Sequence, residues 1–115
     1  TGGNLNYQVL SRDFENIVAI KEASGNITQM DEILKNKPEG FDLISGDDGI
    51  TYPLVSLGAV GVISVLGNAF PGEFGKMTRL AMKGDYAQAL TIHHKFTEMY
   101  RLWTVILLVQ KHCLA

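Results

Sequence analysis

Lys21 is the residue of this sequence best suited to covalent chemistry. It stands within Ile17-Val18-Ala19-Ile20-Lys21-Glu22-Ala23-Ser24, a run that is apolar and largely β-branched up to the lysine. Such a run predicts a strand that carries an amine out of a sheet at its C-terminal end. Alternation puts Ile17, Ala19, Lys21 and Ala23 on one face and Val18, Ile20 and Glu22 on the other. Burial on that mostly apolar face disfavours the ammonium form, and a neutral amine is what Schiff-base formation on a carbonyl requires. The competing reading is a lysine at a strand end whose head simply reaches water.

A second group is Gly46-Asp47-Asp48-Gly49. Paired carboxylates suit metal binding or acid/base work, but adjacent residues point apart in most local structures. The plainer reading is a turn with an N-cap aspartate opening a helix. A third has the backbone around Gly46 meeting a substrate carboxylate at a helix N-terminus. Gly67-Asn68-Ala69-Phe70-Pro71-Gly72 fits neither the phosphate-loop nor the dinucleotide fingerprint and reads as a loop. His93 and His94 are helix neighbours facing different ways, which argues against a two-histidine metal site. His112 and Cys113 lack ligand spacing to any other candidate, and no nucleophile elbow is present.

The elements that must position these residues follow from periodicity. Thr1 to Leu5 reads as a loop and Tyr7 to Phe14 as a short helix with Val9, Leu10 and Phe14 on one side. After the lysine strand, Asn26 caps a helix running to Lys35, with Gln29 in the capping-box position and Ile27, Met30, Ile33 and Leu34 as its buried stripe. Phe41 to Ser45 is a second strand. Thr51 to Leu57 is helical, with Pro53 tolerable only in its first turn. Gly58 to Val65 is a third strand, apolar as if covered on both faces, and Leu66 to Gly72 a loop. Glu73 to Lys83 is an amphipathic helix built on Phe74, Met77, Leu80 and Ala81. Asp85 caps a long helix from Tyr86 to about Trp103. Strands alternating with helices predict βα units on a parallel sheet. Lys21, Gly46-Asp47-Asp48 and Ser64 to Asn68 then fall at the strands' carboxyl ends, where such folds place their sites.

The 115 residues suffice for one domain, and 46% hydrophobic against 19% charged residues argues against disorder. A net charge of −2 gives no reason to expect nucleic acid or an anionic membrane as partner. The single cysteine, Cys113, excludes an internal disulfide and fits a reducing compartment. No signal pattern opens the sequence, the first residue is not methionine, and Val105 to Val109 is far too short to span a bilayer. The expectation is a cytoplasmic chain whose true start lies upstream.

Three segments in order resemble the dihydrodipicolinate synthase family of pyruvate-dependent class I aldolase-type lyases. They are Val18-Ala19-Ile20-Lys21-Glu22-Ala23-Ser24-Gly25-Asn26, Ile44-Ser45-Gly46-Asp47-Asp48, and Gly61-Val62-Ile63-Ser64-Val65 followed by Asn68. The similarity runs from about Asp13 to Leu102, and the lysine motif favours this branch over the sialic acid lyases. The resemblance implies the C-terminal part of a (β/α)₈ barrel, strands six to eight with their helices, followed by a long C-terminal helix. It implies that Lys21 forms the Schiff base with pyruvate, which then adds to aspartate semialdehyde without metal or organic cofactor. Ile63 would line the pyruvate pocket, and Gly46, Asp47 and Asp48 would border the place where the second substrate enters. Such enzymes are usually homotetramers of lysine biosynthesis.

Two departures accompany the resemblance. The family's first five strands are absent, and with them a tyrosine and threonine proton relay and an arginine expected just before Thr1. Residues 1–102 therefore read as a partial barrel domain and 103–115 as an atypical apolar tail. In a shifted frame, permitted codons for Trp103 onward spell the family's DGNPAG segment, so the tail is expected to be an out-of-frame reading. The alternative to a lyase is an inactive, truncated, frame-shifted remnant that only packs with a complementary half-barrel.

Overall fold

A computed structural model describes residues 2–102. The expectations for Trp103, His112, Cys113 and the 103–115 tail fall outside the described residues.

The chain alternates helices with short parallel strands: α1 (Gly2–Asp13), β1 (Ala19–Glu22), α2 (Ile27–Asn36), β2 (Asp42–Ser45), a 3₁₀ turn (Asp48–Ile50), α3 (Thr51–Ser56), α4 (Leu66–Ala69), α5 (Pro71–Met82) and α6 (Tyr86–Lys95). β1 and β2 are parallel, with Ala19 opposite Asp42 and Glu22 opposite Ser45. A third segment runs parallel to β2, bridging at Val62. Val60 N–H donates to the Leu43 carbonyl (3.0 Å), Ser45 N–H to that of Gly61 (2.9 Å), and Ile63 N–H to that of Ser45 (2.8 Å). The expected third strand, Gly58 to Val65, is thus reduced to a short ladder. It was expected to be covered on both faces, yet Val60, Ile63 and Val65 are exposed; the core lies on the Val62 side, so Ile63 faces away from it, and the segment has a strand partner only on the β2 side among the described residues.

One face of the sheet meets the helices. Leu43 and Ser45 are fully buried there, and Ile20 and Val62 pack against the same core. The helices contribute Met30 and Ile33 from α2, Leu54 and Val55 from α3, Phe74, Met77 and Ala81 from α5, and Ala89 and Ile92 from α6. Those stripes match the helical periodicity, except that Ile27 is exposed at the first turn of α2.

Local signals explain most boundaries. The Asn26 side chain accepts from Gln29 N–H (3.0 Å), while Asn26 N–H is taken by Ser24 Oγ (3.2 Å), so only half of a capping box forms. Pro71 begins α5 at a position where no N–H is needed. Helix α1 starts at Gly2, where a loop was expected. Its anchor is Tyr7, which stacks on Phe41 at 5.4 Å and donates to the Ile33 carbonyl (3.3 Å). Val9, Leu10 and Phe14, the expected inner side, are exposed. The helix expected to run from Tyr86 to Trp103 breaks at Phe96. That buried residue donates from its N–H to the His93 carbonyl (3.2 Å), a tighter turn that sets its ring between Phe70 and Phe74. Helical backbone resumes over 97–102.

Candidate active site

The pleat and register place Lys21 and Ile44 on the face opposite the helices, and Ile63, one residue beyond the Val62 bridge, on that same face. The face is open: Lys21 and Ile63 are both exposed. Burial of the lysine on an apolar face, expected from alternation, is not provided by the described residues. The core lies against the alternate face, where Ile20 packs.

Lys21 is nevertheless brought to the aspartate corner. β2 ends at Ser45, and Gly46 N–H continues the ladder to the Glu22 carbonyl (2.8 Å). A Cβ on Gly46 would lie 2.8 Å from Lys21 Cε, 3.2 Å from Lys21 Cγ and 2.9 Å from Ala23 Cβ. The lysine stem therefore crosses directly over this glycine, and the absence of a side chain there is what permits the crossing.

The two aspartates diverge, as adjacent residues should. Asp47 caps the 3₁₀ turn by accepting from Gly49 N–H (3.0 Å). Asp48 reaches to the next βα loop, where its Oδ2 accepts from Val65 N–H (3.2 Å) and Leu66 N–H (3.0 Å). Its Oδ1 is buried without a hydrogen-bond partner among the described residues. These contacts, with Gly67 N–H donating to Ser64 Oγ (2.7 Å), nucleate α4 within the segment expected to be a loop. Beneath the corner, the hydroxyls of buried Ser45 and Thr51 lie 3.0 Å apart, each within reach of the Asp47 carbonyl.

Beside the corner opens a cleft of about 600 Å³ bordered by Gly46, Asp47, Asp48, Leu66, His93 and Tyr100. Lys21 and Ile63 do not line it; they stand on the open sheet face, with Gly46 between the two regions. His93 lies against the rings of Tyr52 (5.3 Å) and Tyr100 (5.2 Å), and its Nδ1 is 3.3 Å from the Tyr100 hydroxyl. Burial, and then the neighbouring His94, lower the His93 pKa below its ordinary value. Burial, and then the Asp48 charge, push the Tyr100 phenol up, so it keeps its proton.

Comparison with known proteins accounts for this arrangement. Residues 1–109 match the Dihydrodipicolinate synthetase family. The chain belongs to that family. It is 70% identical over 105 residues to the 4-hydroxy-tetrahydrodipicolinate synthase of Phocaeicola vulgatus and 63% identical over 105 residues to that of Parabacteroides distasonis, each match covering 89% of this chain and 35% of the relative. The crystal structure of dihydrodipicolinate synthase from Aquifex aeolicus superposes with a TM-score of 0.85 at 37% identity, over 89% of this chain and 35% of that one. The chain thus spans about a third of the length of the family members it matches, and its helices and small parallel sheet are a portion of their barrel fold.

Sequence reasoning overlooked His93 and Tyr100 as walls of this cleft. Their spacing of seven residues, two helical turns, is the signal that would have found them, although α6 breaks between them at Phe96. The Asp48 link to Val65 and Leu66 spans 17 and 18 residues, and no local pattern announces it.

Proposed function

We propose that this chain supplies the covalent lysine of a pyruvate-dependent class I aldolase-type lyase of lysine biosynthesis. In this reading β1, β2 and the 60–65 segment are the sixth, seventh and eighth strands of a (β/α)₈ barrel. The open face bearing Lys21, Ile44 and Ile63 is the barrel interior. Lys21 Nζ adds to the carbonyl carbon of pyruvate and water leaves, giving an imine. Loss of a methyl proton gives an enamine whose carbon attacks the aldehyde of aspartate semialdehyde. The imine itself accepts the electron pair, so the step calls for neither metal nor organic cofactor. Ile63 borders the pyruvate, and Gly46, Asp47 and Asp48 border the mouth through which the aldehyde arrives. The working assembly is a cytoplasmic homotetramer.

The observation that carries this reading is the passage of Lys21 over Gly46, which aims the amine at the carboxyl ends of the strands. That is where α/β folds perform chemistry. The exposure of Lys21 and the unpaired outer side of β1 among the described residues favour a second reading, an inactive remnant that only packs with a complementary half-barrel. Borohydride reduction in the presence of pyruvate separates the two. A reduced pyruvate adduct on Lys21 supports the lyase; its absence, with the chain folded, supports the remnant. No helix among the described residues is long and apolar enough to cross a membrane.

A further inference from the structure

Asp48 is the one side chain of the corner that leaves its own loop. Its Oδ2 holds two successive N–H groups, Val65 and Leu66, at 3.2 and 3.0 Å, where the third segment turns into α4. The bond joins the loop after β2 to the loop after the segment bearing Ile63. Its Oδ1 is sealed from solvent and has no hydrogen-bond partner among the described residues, so neither oxygen is both accessible and free in the way a substrate ligand's would be. Tyr100 lies against the 3₁₀ turn that carries Asp48, its Cβ 3.5 Å from where a Cβ on Gly49 would stand.

We infer that Asp48 is a positioning residue of the proposed condensation: it clamps the Val65–Leu66 turn to the glycine corner and so sets Ile63 relative to Lys21. This rests on the lyase reading but departs from an aspartate that binds substrate by its charge. Positioning needs an acceptor, whereas charge recognition needs a carboxylate. Asp48→Asn keeps one acceptor for the two N–H groups, and Asp48→Ala keeps none.

The test compares both variants in the full chain. Amide exchange at Val65 and Leu66 should quicken by about tenfold or more in Asp48→Ala, as loss of a charge-assisted bond implies, and by less than about threefold in Asp48→Asn, whose acceptor remains. Exchange at Ile33 should stay unchanged in both, which shows that they fold. Borohydride trapping of pyruvate at Lys21 should slow in Asp48→Ala and be largely rescued in Asp48→Asn. Unchanged exchange in Asp48→Ala overturns the clamp, and trapping lost equally in both variants with exchange preserved in Asp48→Asn overturns positioning in favour of charge. If the parent chain traps no pyruvate, the lyase reading fails, and the exchange data alone decide whether Asp48 holds the turn.

Discussion

Lys21 and Gly46 are in contact across the top of the sheet, the lysine Cε lying 2.8 Å from the point where a Cβ on Gly46 would stand. The contact ties the amine to the aspartate corner by exclusion: any side chain at position 46 occupies the path of the lysine.

Gly46→Ala should therefore displace Lys21. The lysine end is flexible, but Ala23 Cβ, 2.9 Å from the new methyl, is fixed to β1, so the strain falls on the strand ends as well. Overpacking of this kind costs about 1–3 kcal/mol. The expected result is a lower denaturation midpoint together with pyruvate trapping slowed by about tenfold, the factor that ~1.4 kcal/mol represents. Stability and trapping that both match the parent would show that Lys21 does not depend on this crossing.

The His93 cluster predicts a pH dependence. Burial, reinforced by His94, holds the His93 pKa below its ordinary 6.5, so the folded state favours the neutral ring. The contribution is fully present above 6.5 and is lost as pH falls through the depressed folded value, because the unfolded chain takes up the proton first. His93→Gln should flatten this part of the stability profile between neutral and mildly acid pH. Imidazole titration by NMR should show His93 protonating below 6.5 and moving upward in His94→Gln. A His93 midpoint above 6.5 would contradict the burial argument.

The core and the caps should respond on different scales. Met77 is fully buried among the helices, and Met77→Ala should cost ~2–5 kcal/mol through lost contact and the cavity left behind. Asp85 caps α6 by accepting from Gln88 N–H (3.2 Å) at an exposed position, so Asp85→Ala should cost about 1 kcal/mol. Urea denaturation of the two variants checks the order; a larger loss at Asp85 than at Met77 would overturn the ranking of core burial above an exposed cap.

Much of this was legible because it is local. The helical spacing of Phe74, Met77 and Ala81 and the caps at Asn26, Asp47 and Asp85 are encoded within a few residues, and the structure bears them out; the alternation around Lys21 holds only within Ala19–Glu22, since Ile17 packs against the core with Ile20 while Val18 is exposed. The three motifs at the strand ends likewise identified the family. What was not legible depends on partners distant in sequence. α4 forms because Asp48 reaches Val65 and Leu66, α1 begins early because Tyr7 finds Phe41 and Ile33, and α6 breaks because Phe96 packs between Phe70 and Phe74. Periodicity revealed which face of β1 was more apolar but not which face the helices would cover.

That last distinction has a consequence for solution behaviour. Val18 is 58% exposed beside β1, and Ile63 is 54% exposed on the third segment. β1 has no strand on its outer side among the described residues, so apolar side chains flank open backbone, the combination that favours edge-to-edge association. Val18→Glu introduces a charge at this edge while leaving the Val18 carbonyl, which accepts from Asp42 N–H (2.9 Å), in place. Because the side chain is largely exposed, fold stability should hold, and the concentration at which the chain self-associates should rise by about tenfold if the valine contributes ~1.4 kcal/mol to the contact. Sedimentation across a concentration series reads this directly. Association unchanged by Val18→Glu but relieved by Ile63→Glu would move the sticky edge to the third segment, on the face that bears Lys21.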